Sequence, residues 1–61
     1  MYKEANMRII KVEYYPDTGF TRVWITKPSL PGMGWLIHYF SCEAHAQAYA
    51  AEHGAEFTVE N

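Results

Sequence analysis

The chain has one cysteine, Cys42, so no internal disulfide closes it, and no paired-cysteine spacing marks a zinc site. Positive charge is scarce as well. Five Lys and Arg stand against seven Asp and Glu, a net charge of −2, with neither a basic run nor an arginine stripe. Binding a nucleic-acid backbone depends on neutralising phosphates, so nucleic acid is a disfavoured partner. Met1–Asn6 carries Lys3 and Glu4 and no apolar core. It is therefore read as neither a signal peptide nor a membrane anchor, and a soluble, cytoplasmic protein with no membrane partner is expected. The same six residues are read as a disordered or tag-derived tail, with Met7 a candidate natural start. Gly32-Met33-Gly34 lacks the lysine and the following helix of a phosphate loop, and no grouping of nucleophile and base stands out. The expectation is a protein without catalytic residues, metal or cofactor.

Length sets the next limit. A chain of 61 residues buries only about 60% of the surface its unfolded form exposes, which allows one domain, residues 1–61, with a thin stability margin. With no disulfide or metal to brace it, self-association or a partner is the expected stabiliser, and a homodimer is anticipated.

What the chain has in surplus is aromatic side chains: two Trp, five Tyr and three Phe. Arg8 to Tyr15 alternates as a strand does, with Ile10, Val12 and Tyr14 expected to face the core and Lys11, Glu13 and Tyr15 to face away. Pro16-Asp17-Thr18-Gly19 has the residue chemistry of a tight turn, proline fixing φ early and glycine free to take positive φ at the end. Phe20 to Lys27 then returns as a strand, with Thr21, Val23 and Ile25 on one face and Arg22, Trp24 and Thr26 on the other. Pro28 to Gly34 reads as a loop from its proline and glycine content. Trp35 to Phe40 is an apolar run interrupted only by His38, which suits a strand but leaves open which alternate set, Trp35, Ile37 and Tyr39 or Leu36, His38 and Phe40, faces outward.

Ser41 is the expected N-cap of a helix over about Cys42 to His53, and Glu43 suits the positive end of its dipole. A 3.6-residue projection puts Cys42, Ala46, Tyr49, Ala50 and His53 on the side facing the sheet, and leaves an all-alanine strip of Ala44, Ala48 and Ala51 on the far flank. Gly54 is the expected stop. Ala55 to Glu60 alternates as a last short strand, Phe57 and Val59 inward. The sum is an α+β fold in the order β-β-β-α-β, a small antiparallel sheet with one helix packed on one face and a final strand added.

Chemically suggestive residues have plainer readings beside them. Cys42 and His45 share a helix face with His53 further along, but helix spacing joins only two ligands where a structural zinc needs four. Thiol chemistry would need Cys42 beside His38 or His45 with a third orienting group. A shaped pocket is not expected in a domain with one thin core, and a buried cysteine at the helix–sheet seam is the commoner explanation. The sheet aromatics could stack bases, but only Lys11, Arg22 and Lys27 accompany them.

Three resemblances follow. Phe40 to Gly54, Phe-Ser-Cys-Glu-Ala-His-Ala-Gln-Ala-Tyr-Ala-Ala-Glu-His-Gly, resembles the strand-to-helix joint of integrase arm-type DNA-binding domains, which implies a three-stranded sheet laid on DNA. The hairpin Ile9 to Thr26 with Pro28-Ser29-Leu30-Pro31-Gly32 and a later alanine-rich helix is similar to HicB-type antitoxins, which implies cover of a toxin by protein contact. Size, acidity and the lack of catalytic groups resemble the small single-domain inhibitors encoded by phages and other mobile elements.

The outer sheet face carries the sharpest clue. A solvated sheet face normally reads polar, so large aromatics there mark either a contact surface or the rim of a thin core. The reading is a non-catalytic protein-binding module, an inhibitor or regulator of a larger protein partner, with Tyr15, Arg22, Trp24, Met33 and Trp35 as its contact residues. The alternatives are a nucleic-acid-binding sheet and a small thiol- or metal-dependent activity at Cys42.

Overall fold

A computed structural model of the chain describes residues 7–27 and 30–61, with the side chains of residues 30–33 excepted. The expected tail, Met1–Asn6, lies outside the described residues. Strands β1 (Arg8–Tyr14), β2 (Phe20–Lys27) and β3 (Leu30–Tyr39) are followed by helix α1 (Glu43–Glu52) and strand β4 (Glu56–Val59). The sheet order is β3-β2-β1-β4. The first three strands form the expected antiparallel meander, and the added strand β4 lies parallel to β1, so the sheet is mixed. That direction follows from the connection: a helix that leaves β3 and crosses the sheet returns the chain to run alongside β1.

The hairpin end is tightly specified. Gly19 takes φ +81° and donates its amide to Tyr15 O at 2.8 Å, while Phe20 O accepts from the Tyr15 amide at 2.9 Å. Beneath the turn, the buried Thr21 hydroxyl donates to Gly19 O.

Among the described residues the buried apolar core includes Ile9, Val12, Tyr14, Val23, Ile25, Ala46 and Ala50, and Tyr49, Ala55 and Phe57 pack against its central cluster. The expected inward set on β1 needs one correction, because Ile9 and not Ile10 is the buried isoleucine. Ile9 pairs with Ile25 and Lys11 with Trp24, so Ile10 is the extra residue of a β-bulge. The bulge shifts alternation by one residue, after which Val12 and Tyr14 point inward as expected.

Residues 30–34 also depart from the loop expectation, since β3 begins at Leu30. Lys27 pairs with Leu30 and Thr26 with Met33, so Pro31 and Gly32 are absorbed as an irregularity within the strand. An edge strand tolerates this because one side of its backbone has no ladder to satisfy.

Helix α1 starts one residue later than expected, with Cys42 in the N-cap position and no side-chain cap. The Ser41 hydroxyl lies instead 3.3 Å from His45 Nδ1. At the other end Gly54 takes φ +64°, with Gly54 N donating to Ala51 O and Ala55 N to Ala50 O. Those two bonds are the paired pattern by which a left-handed glycine closes a helix. The helix rests Ala46 and Ala50 on the sheet, as the projection required, and Tyr49 covers the core margin. Cys42 and His53 do not belong to that seam: both are exposed, which also removes the buried-cysteine reading. Ala44, Ala48 and Ala51 lie on the far flank of the helix, as the projection placed them, and are exposed in the single chain.

Candidate functional site

Strand register decides which side chains share the outer face. Trp24 lies opposite Trp35, Arg22 opposite Ile37 and Phe20 opposite Tyr39. The open question over β3 is thereby answered: Trp35, Ile37 and Tyr39 face away from the helix, with exposures of 47%, 51% and 70%.

Two clusters occupy this face. In the first, the Arg22 guanidinium carbon stands 5.0 Å from the Trp35 ring centre and 5.8 Å from that of Trp24, and the two indoles are 6.4 Å apart. Such cation–π contacts hold a planar cation against the sheet. Arg22 Nε is buried there without a hydrogen-bond partner, a desolvation cost that the ring contacts and Glu13 offset. Glu13, on the neighbouring strand, accepts from Trp24 Nε1 at 3.0 Å and pairs with Lys11 at 3.4 Å and Arg22 at 3.6 Å. In the second cluster Tyr15 meets Phe20 edge-on at 5.5 Å, and Phe20 meets Tyr39 at 5.9 Å.

Of the residues expected to form the site, Arg22, Trp24 and Trp35 come together, and Tyr15 stands apart at the hairpin end with Phe20 and Tyr39. The backbone of Met33 lies opposite Thr26, and its side chain is outside the described residues. Sequence reasoning missed Glu13 as the residue that anchors the cluster. Its alternation with Lys11 placed it on the correct face, but the link to Trp24 depends on cross-strand register. Beside the bulge an open hollow of about 410 Å³ is lined by Ile10, Lys11, Glu13, Trp24 and Glu56.

The Trp24 hydrogen bond, helped by the Lys11 and Arg22 charges, holds the Glu13 carboxyl below its ordinary pKa, against the opposing effect of burial. A carboxylate whose folded pKa is depressed adds stability above its unfolded pKa and loses that contribution as pH falls through the folded value. The urea midpoint should therefore drop as acidification passes from the ordinary carboxylate pKa through the lower folded one, and Glu13→Gln should flatten that part of the profile. An unchanged slope in the variant would remove Glu13 from the acid response.

On the helix side, Tyr49 joins α1 to the inner surface of β3, its ring 5.3 Å from His38 and 5.5 Å from Phe40. Burial pushes the Tyr49 hydroxyl pKa up, with Glu52 adding to the effect. Among the described residues no three His, Cys, Asp or Glu side chains gather as a metal site would require. No described helix is long and apolar enough to cross a membrane.

Comparison of the chain with family models, curated proteins and solved structures found no match.

Proposed function

We propose that the protein is a non-catalytic protein-binding module that uses its outer sheet face to engage a larger partner and regulate or inhibit it. One observation carries this reading: Trp24, Arg22 and Trp35 form a pre-stacked cluster opposite the helix, continued along β3 by exposed Ile37 and Tyr39. Trp, Tyr and Arg dominate interface energetics because each pairs large area with a polar handle. Holding them in place before contact lowers the ordering cost of binding. Acidic net charge favours a protein over a nucleic-acid partner. A reducing, cytoplasmic setting suits the unpaired, exposed Cys42.

Trp35 is the cleaner probe of this face, because Trp24 is half-buried and its indole nitrogen donates to Glu13. Tagged wild-type chain should retain a specific protein from its native host, and Trp35→Ala should weaken that capture by about 2 kcal/mol or more with the fold intact. Equal capture by the variant would place the contact elsewhere. Salt-sensitive retention on a polyanion column would favour the nucleic-acid alternative instead.

A further inference from the structure

The two edges of the sheet are built differently. Edge strand β4 is four residues long and bounded by Glu56 and Glu60, the short, charged form that resists pairing with another chain. Edge strand β3 runs for ten residues, Leu30–Tyr39, without one Asp, Glu, Lys or Arg. It also has an apolar residue exposed on each face, since Leu36 on the helix side is 40% exposed while Ile37 faces the opposite way. The helix packs mainly against β1 and β4 and reaches β3 through the Tyr49 ring at its His38 end, leaving Leu36 part-exposed.

Backbone direction along β3 follows from one hydrogen bond. Phe40 donates its amide to Gly19 O at 3.0 Å, on the β2 side. Backbone groups alternate along a strand, so His38 and Leu36 also turn their N–H and C=O toward β2. Those of Trp35, Ile37 and Tyr39 point to the open edge. Among the described residues no strand lies beyond them.

We propose that this edge pairs with β3 of a second copy of the chain, antiparallel and centred on Ile37. The sequence about that point is self-complementary. A two-fold axis through the Ile37 pair sets Trp35 opposite Tyr39 of the second copy and Tyr39 opposite its Trp35, with all six side chains on the outer face. On the inner face the same register sets Leu36 against His38 and Gly34 against Phe40, where a ring covers the strip the glycine leaves bare. A two-fold interface repeats each contact, and a strand without charge brings no like charges together even though each copy is net acidic. The product is an eight-stranded sheet with both helices on one side and the two aromatic faces merged on the other. Pairing of copies runs through the backbone edge and does not rest on the partner-binding reading, although Trp35, Ile37 and Tyr39 enter both.

Amide exchange on the full wild-type chain, followed by NMR from low micromolar to near-millimolar concentration, tests this directly. Exchange at Ile37, Trp35 and Tyr39 should slow by about tenfold or more with rising concentration, while Leu36 and His38 stay protected throughout. Light scattering should show a dimer in the same range, and Ile37→Lys, which sets two ammonium groups face to face, should give a monomer. Ala48→Lys, on the alanine strip, should leave the dimer in place. A wild-type chain that stays monomeric, or concentration-independent exchange at Ile37, would overturn the pairing. A dimer that survives Ile37→Lys and dissociates with Ala48→Lys would also overturn it, moving the interface to the helix. Capture of a host protein that depends on Trp35 is read separately, so either idea can fail alone.

Discussion

Gly19→Ala should cost about 3 kcal/mol, close to the whole stability margin of a domain this small. Two effects combine at this position. Its φ of +81° is a conformation an L side chain rarely adopts, and an added Cβ would stand 2.5 Å from the carbonyl oxygen of Phe40. That oxygen is backbone, held by the pairing of Phe40 N with Gly19 O, so it cannot rotate away as a side chain would. Gly54 supplies the internal control. It also has positive φ, at +64°, but open space surrounds its missing Cβ, so Gly54→Ala should cost only about 1 kcal/mol. Urea denaturation of both variants checks the pair. Equal losses would mean that the close approach at Phe40 relaxes, leaving only backbone strain.

Overpacking the helix seam should produce the second large effect. Ala46 and Ala50 are buried against the sheet, and their small side chains set how closely α1 approaches it. Leucine at either position adds three heavy atoms where no space exists, and should destabilise by about 1–3 kcal/mol. Ala48→Leu projects into solvent and should change stability by about 0.5 kcal/mol or less. Thermal melts of the three variants give the helix rotation directly. A sharp loss at Ala48 with none at Ala46 or Ala50 would mean that the alanine strip is the packed side.

Much of this architecture is legible without coordinates, because the signals are local. Alternation across Phe20 to Lys27 names Thr21, Val23 and Ile25 as inward, and these are the buried residues of β2. Alanine spacing orients α1, and Gly54 ends it in the left-handed conformation expected of a helix stop. Proline and glycine around Asp17 place the first hairpin.

What tertiary structure alone decides are matters of pairing. The bulge at Ile10 exchanges one isoleucine for its neighbour in the core, and nothing in Arg8 to Tyr15 announces it, since either isoleucine satisfies an apolar pattern. Trp35 to Phe40 is apolar at both phases, so only its register against β2 puts Trp35 beside Trp24 and Arg22. The link from Glu13 to Trp24 crosses eleven residues of sequence and exists only because two strands lie side by side. The openness of β3 depends on where the helix comes to rest over the sheet. Periodicity and turn chemistry are properties of a few neighbouring residues and survive in the sequence, whereas cross-strand register and edge position are properties of the folded sheet as a whole.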